Sequence, residues 1–83
     1  MRPSKKKRED ENARIAVNIR YYQQIRHVSD ERCGMAIGSC ARTFTRRMAN
    51  PGDFTLSEIA ALACLLNTTS QRIQFGQLEG GQA

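Results

Sequence analysis

Residues 28–47 of the chain read VSDERCGMAIGSCARTFTRR, and this stretch decides the fold. Ser29 is a good N-cap, and two acidic residues follow it where negative charge suits the helix dipole. Gly38 can take the positive φ that ends a helix, so one helix is expected over residues 29–37. A second helix, which carries three arginines, is expected over residues 40–48. Two short helices joined by a glycine turn are typical of a helix-turn-helix motif.

The preceding segment predicts a longer helix. Ile15, Ile19 and Tyr22 recur at spacings of three and four residues, followed by either Ile25 or Arg26 on the same face. This spacing gives a helix over about residues 12–27 with one apolar side.

The segment after residue 49 predicts two more helices. Asn-Pro-Gly-Asp at residues 50–53 forms a turn by composition. Thr55 and Glu58 then make a capping box, and Asn67 can close that helix in the left-handed conformation. Thr69 caps a last short helix that ends near Phe75. The predicted buried stripe of the fourth helix is Leu56, Ile59, Leu62, Ala63 and Leu66, and Ile73 of the fifth faces inward.

These five helices predict one compact all-α domain over residues 12–75. Eighty-three residues suffice for a single small core. Residues 1–11 have no apolar side chain after Met1 and are expected to form a disordered basic arm. The Lys5–Arg8 run within that arm is open to two readings, a DNA-binding extension or a solubilising tail. Residues 76–83 are rich in Gly and Gln and are expected to be flexible.

The charge balance points to an anionic partner. The chain has 13 basic and 8 acidic residues, a net charge of +5, and a pI near 9.6. Residues 20–47 contain six arginines against two acidic residues, a net charge of +4. Such a surplus favours nucleic acid over a membrane surface, and no segment has the roughly 18–20 apolar residues of a membrane span.

The sequence does not indicate an enzyme. It has one histidine, and it lacks a Ser/His/Asp set, a carboxylate pair or a metal-ligand pattern. Cys33, Cys40 and Cys64 have no CxxC spacing, so they are expected to be free thiols packed in the core. The N-terminus does not look like a secretory signal, which predicts a cytoplasmic protein, nucleoid-associated when bound to DNA. No cofactor, metal or small-molecule ligand is expected.

The order of these features resembles the lambda-repressor-like helix-turn-helix family, which includes Cro-type and xenobiotic-response-element type regulators. The resemblance covers roughly residues 15–75. The residues that carry it are Ile19, Tyr22, Val28-Ser29, Gly34, Gly38, Phe44, and the tail Leu62-Ala63, Leu66-Asn67-Thr68-Thr69 and Ile73. It implies a sequence-specific DNA-binding regulator of phage or mobile-element type. The recognition helix, about residues 40–48, would then lie in the major groove of double-stranded DNA.

The chain departs from the family pattern at several positions. The family often pairs an Arg of helix one with a Glu at the end of helix three, and these positions look to be Gln23 and Met48 here. The family's phosphate-contacting Gln at the start of helix two is replaced by Asp30. Arg47 falls where an apolar residue is common, so Met48 is expected to pack in its place.

The recognition helix is oriented by Phe44. If Phe44 faces the core, a rotation of about 100° per residue leaves Arg42, Thr45 and Arg46 on the exposed side. Arginine suits bidentate contact with guanine, threonine can offer its hydroxyl or methyl group, and the small Ala41 can meet a thymine methyl. The candidate DNA-binding residues are Ser39, Cys40, Ala41, Arg42, Thr43, Thr45, Arg46, Arg47 and Asn50.

Two further expectations concern partners. The family generally pairs through its last helix or a C-terminal extension, which predicts a homodimer. Leu65, Ile73, Phe75 and Leu78 are available there, and because Ile73 is expected to enter the core, Phe75 and Leu78 are expected to contribute to the interface. The alternative function is a protein-interaction module, such as an antitoxin-like or anti-repressor protein, because the same fold serves both classes.

Overall fold

The computed structural model describes the backbone of residues 4–76 and the side chains of residues 12–76. The described chain forms five α-helices and no strand. The helices are α1 (Ser4–Arg26), α2 (Asp30–Ala36), α3 (Ala41–Ala49), α4 (Leu56–Leu65) and α5 (Ser70–Phe75), with a 3₁₀ turn at Pro51–Asp53. The all-α class predicted from the sequence is therefore confirmed. No helix in this part of the chain is long and apolar enough to cross a membrane.

The largest difference from expectation lies at the start of α1, which begins at Ser4 rather than near Asn12. Residues 5–11 are all Lys, Arg, Glu or Asp. Lysine, arginine and glutamate are good helix formers, so the helix continues backwards without an apolar face. The expected disordered arm is thus helical in its backbone from residue 4, and the Lys5–Arg8 side chains lie outside the described ones. The expected flexible tail also lies outside the description beyond Gly76.

The two helices of the opening stretch form as predicted. Ser29 caps α2, since its hydroxyl accepts a hydrogen bond from the Arg32 N–H at 3.2 Å. Gly38 has a φ of +79° and ends the turn, and α2 then packs against α3. Gly34 lies at this contact. A Cβ there would stand 2.3 Å from the Cys40 carbonyl carbon, so only glycine allows this approach.

The two helices in the second half of the chain also begin at the predicted capping residues. Thr55 and Glu58 form the predicted capping box at the start of α4. Asn67 takes a φ of +58°, as expected of a left-handed cap, and Thr69 caps α5. Leu56 is an error in the predicted stripe. It is 74% exposed because it is the first residue of α4 and faces away from the core.

The core joins all five helices. Its fully buried apolar side chains are Ile19, Cys33, Phe44, Leu62, Leu66 and Ile73. α1 packs against α5 and the 3₁₀ turn, whereas α4 packs against both α2 and α5. On α1, Ile25 is half exposed, and Arg26 donates hydrogen bonds to the carbonyls of Leu66 and Asn67 at 3.0 and 3.3 Å.

Asn18 is a buried polar residue that the apolar pattern did not reveal. It is 1% exposed, and its amide nitrogen lies 2.8 Å from the Ile73 carbonyl. The same nitrogen is 3.2 Å from the carbonyls of Arg72 and Gly76. One side chain of α1 is therefore tied to the C-terminal end of α5, most closely through the Ile73 carbonyl, whereas the Arg72 carbonyl also accepts the Gly76 N–H at 2.9 Å.

Candidate nucleic-acid interface

The orientation of α3 follows from its two buried side chains. Phe44 is 0% exposed and Met48 is 9% exposed, so this side of the helix belongs to the core. Arg42, Thr45 and Arg46 are exposed, as the helical periodicity predicts. The packing of Met48 also agrees with the expectation that it replaces the usual apolar neighbour.

Two of the three arginines on α3 have no carboxylate partner among residues 12–76. These are Arg42 and Arg46, which are separated by one helical turn on the exposed side. The Thr45 hydroxyl donates a hydrogen bond to the Ala41 carbonyl at 2.9 Å. Its methyl group and its oxygen lone pairs stay open to a ligand. The exposed side of α3 thus offers two cations flanking a small polar side chain.

Arg47 is in a different situation from its two neighbours. Its guanidinium pairs with Glu58 of α4, and the carboxylate also accepts the Thr55 N–H at 3.0 Å. The hydrogen bond from Arg47 is the main cause that lowers the pKa of Glu58 below its ordinary value. The same oxygen therefore ties the C-terminal end of α3 to the cap of α4. Arg47 holds α3 in place rather than projecting from it as an unpaired cation.

The start of α3 is open and carries an exposed thiol. Ser39 and Cys40 are exposed, and the sulfur of Cys40 lies 3.7 Å from the Thr43 hydroxyl. Cys40 makes no formal capping hydrogen bond. Even so, the Thr43 N–H, the Thr43 hydroxyl and the Arg42 N–H stabilise the thiolate and lower its pKa to about 7.

The cysteines differ from the expected core set. All three are free, but only Cys33 is buried, and desolvation raises its pKa to about 11. Cys40 and Cys64 are exposed. Cys40 precedes the first residue of α3, and Cys64 lies on the outer side of α4. No group of three or more potential metal-binding side chains occurs in the described part of the chain.

Asp30 has close partners that its position at the start of α2 did not suggest. Its carboxylate accepts from Arg20 Nη1 at 2.8 Å and from the Gln23 amide at 2.8 Å. Arg20 also donates to the side-chain amide oxygen of Gln23 at 2.9 Å. The bond from Gln23 is the largest cause that lowers the pKa of Asp30. Because Gln23 is an amide, it can donate to the acid and accept from the arginine at once.

Arg20 extends this cluster to α3. Its guanidinium carbon lies 5.9 Å from the centre of the Phe44 ring, a cation–π distance. A groove of about 600 Å³ runs along the same side and is bordered by Arg20, Gln24 and Thr45. Sequence reasoning missed Arg20 and Gln24. Their only signal was a place in the basic stretch, since their proximity to Thr45 depends on how α1 and α3 pack.

The remaining candidate residues lie around the same helix. Ala41 and Thr43 are half-buried in its first turn, and Asn50 is exposed at its C-cap. The structure therefore places Ser39 and Cys40 just before α3, and Arg42, Thr45 and Arg46 on its exposed side. Asn50 lies at the C-terminal end of the helix. Such a surface can bind an anion or hydrogen-bond to base edges.

No known protein family, characterised protein or solved structure matches this chain.

Proposed function

We propose that the chain is a sequence-specific DNA-binding regulator with a lambda-repressor-like helix-turn-helix, in which α3 enters the major groove. The observation that carries this proposal is the orientation of α3 about its own axis. Phe44 is completely buried, Arg42 and Arg46 lie on the opposite side of the helix, and Thr45 is exposed beside them. A short helix with two guanidinium groups that have no carboxylate partner among residues 12–76 has the dimensions and the donors that major-groove recognition needs.

Each exposed residue then has a distinct part in binding. Arg42 and Arg46 read guanine O6 and N7 through bidentate hydrogen bonds. Thr45 and Ala41 contact the bases beside them, where a thymine methyl fits a small side chain. Ser39, Cys40, Thr43 and Asn50 lie at the two ends of α3 and contact the phosphate backbone, which positions the helix without reading sequence. Arg47 acts through Glu58 by fixing the end of α3.

The experiment begins with selection of bound sites from random double-stranded DNA by the full chain. Affinity for the selected site is then measured for Arg42→Ala, Arg46→Ala and the control Arg32→Ala. Arg32 is exposed on α2, so its loss removes the same charge away from α3. Each α3 variant should lose about 1–3 kcal/mol and relax its preference at one base position.

The control should lose less and keep the preference. If both α3 variants bind and discriminate like the wild-type chain, α3 does not read the DNA. If selection enriches no sequence and no DNA binds at low salt, the proposed function itself is wrong.

A second candidate function is a protein-interaction module. It is favoured by the surface between α2 and α4, where Met35 is 72% exposed beside Ala36 and the half-buried Leu65. An exposed methionine in a shallow apolar depression suits an apolar side chain of a partner. Failure to bind DNA at any salt concentration, together with loss of a protein partner on Met35→Glu, would favour this function.

A further inference from the structure

Arg20 and Gln24 lie where two concave surfaces meet. Both residues border the groove that includes Thr45 of α3. Both also border the cleft that includes Val28, Ser29 and Asp30 at the start of α2. The outer side of α1 therefore connects the exposed side of α3 with the beginning of α2 in one continuous surface.

The guanidinium of Arg20 is only partly used within this surface. Its contacts to Gln23 and Asp30 both go through Nη1, at 2.9 and 2.8 Å. A guanidinium has five N–H donors. Those on Nη2 and Nε of Arg20 have no hydrogen-bond partner among the described residues. The Arg20 side chain is 46% exposed and that of Asp30 is 38% exposed. The arginine can therefore bind a second anion, which then shares the guanidinium with the Asp30 carboxylate.

We propose that Arg20, with Gln24 beside it, binds a phosphate at the edge of the major groove, and that Asp30 weakens this contact by competing for the guanidinium. This inference rests on the proposed DNA-binding function. It assigns a contact with the DNA backbone to α1 and gives the Asp30 carboxylate a defined part in binding.

The geometry explains why Asp30 remains in place as a competitor. The buried Gln23 donates to its carboxylate at 2.8 Å and to the Val28 carbonyl at 3.3 Å. An approaching phosphate must share Arg20 with a carboxylate that is held by this amide. Backbone contacts bind every sequence alike. Weakening one of them lowers the affinity for every sequence alike and leaves the discrimination between sites to α3.

The test compares matched variants on the DNA site selected by the wild-type chain. Asp30→Asn keeps a side-chain oxygen for Arg20 and Gln23 but removes the charge. Arg20→Gln removes the cation, Gln24→Ala removes one exposed amide, and Arg32→Gln controls for the loss of a positive charge elsewhere. The dissociation constant of each is measured over a range of NaCl concentrations, with thermal unfolding as a check on folding.

Asp30→Asn should tighten binding by roughly tenfold, for selected and unrelated DNA alike, because a full charge-assisted contact forms. Arg20→Gln should weaken binding to all DNA by a similar factor and reduce the slope of log Kd against log salt by about 1. Gln24→Ala should weaken binding a few-fold, roughly one neutral hydrogen bond, without affecting folding. Arg32→Gln should change affinity less than Arg20→Gln does.

The double variant separates competition from simple repulsion. In an Arg20→Gln background, Asp30→Asn should tighten binding much less than it does in the wild-type chain. Equal gains in both backgrounds would show that Asp30 acts by repulsion alone and would overturn the competition. If Arg42→Ala weakens binding but the α1 variants behave like Arg32→Gln, this inference fails and the proposed function stands. A wild-type chain that binds no DNA rejects both.

Discussion

Individual side chains on this small surface differ mainly in what they are paired with. Arg42, Arg46 and Arg47 come from one stretch of six residues, yet only Arg47 has a carboxylate partner among the described residues. The third arginine thus supports the fold, and the other two are available to a ligand. Hydrogen-bond partners therefore distinguish the members of a basic cluster better than their charge does.

Cys40 should be the most reactive thiol of the folded chain at neutral pH. Its pKa of about 7 makes roughly half of it thiolate there, and it is exposed. Ionisation of a group whose pKa is lowered by folding stabilises the folded state. This contribution is complete above the unfolded value of 9.0 and is lost as the pH falls through about 7. Alkylation by iodoacetamide, followed by peptide mass spectrometry, should rise steeply between pH 6 and 8 at Cys40.

The buried Cys33 serves as the internal reference for that experiment, since its pKa of about 11 keeps it protonated and unreactive. Cys40→Ser should abolish the pH-dependent phase. A Cys40 rate that rises only near pH 9 would contradict the role of the surrounding N–H groups.

Asn18 should be among the most sensitive polar positions. Asn18→Ala removes the donor that serves the carbonyls of Arg72, Ile73 and Gly76. The loss should cost about 2–3 kcal/mol of unfolding free energy, because the buried hydrogen bond to the Ile73 carbonyl is removed and two weaker ones go with it. Asn18→Asp should cost more at pH 7, since a carboxylate cannot donate. Urea denaturation measures both, with the exposed Gln71→Ala on α5 as the control; equal midpoints for Asn18→Ala and the control would contradict the role assigned to Asn18.

The helices and their ends could be predicted well because their signals are local. Ser29, Gly38, Thr55 with Glu58, and Asn67 each act within a few residues of where they stand, and all take the predicted conformation. The family resemblance placed Phe44 in the core, and helical periodicity then gave the exposed side of α3. It failed at Leu56, where an apolar residue occupies the first position of α4 and has no neighbour to pack against.

The contacts that could not be predicted join residues far apart in the chain. Arg20 meets Asp30 across ten residues, Arg47 meets Glu58 across eleven, and Asn18 meets Ile73 across fifty-five. None of these pairs has a local signature, because each depends on how two helices pack. For the candidate site, the sequence therefore predicted the exposed side of α3 but missed the contribution of α1.

The contact between α2 and α3 should depend on Gly34 more than on Gly38. In Gly34→Ala, the new Cβ would lie 2.3 Å from the Cys40 carbonyl carbon and 2.6 Å from the Ala41 nitrogen, so the backbone of α3 must move. We expect a loss of about 2–3 kcal/mol, at the upper end of overpacking effects. Gly38→Ala meets open space and should cost about 1–2 kcal/mol for its positive φ. Thermal unfolding ranks the two, and a reversed order would mean that α2 and α3 do not approach this closely.

The molecule as a whole is small for the recognition of a long DNA site. If α3 reads DNA as proposed, its nine residues contact only a few base pairs, so a specific site would require a second copy of the chain. Of the two residues expected at a dimer interface, Leu78 lies outside the described residues, and Ile73, which was expected to enter the core instead, is fully buried. Phe75 at the end of α5 is 64% exposed and is the best remaining anchor.

We therefore expect a homodimer that forms through Phe75. Sedimentation equilibrium should give about twice the 9.3 kDa chain mass, and Phe75→Glu should return it to the monomer because a charge cannot be buried there unpaired. Met35→Glu, which alters another exposed apolar side chain, is the matched control. The wild-type chain should select inverted repeats with half-sites about 34 Å apart, one turn of DNA. Phe75→Glu should still select the same half-site sequence but no longer a fixed distance between half-sites. In the proposed complex α3 recognises the half-site, and the two-fold axis of the dimer sets the distance. A wild-type chain that stays monomeric well above micromolar concentration would contradict the dimer. A dimer that is lost only in Met35→Glu would show that the interface does not include Phe75.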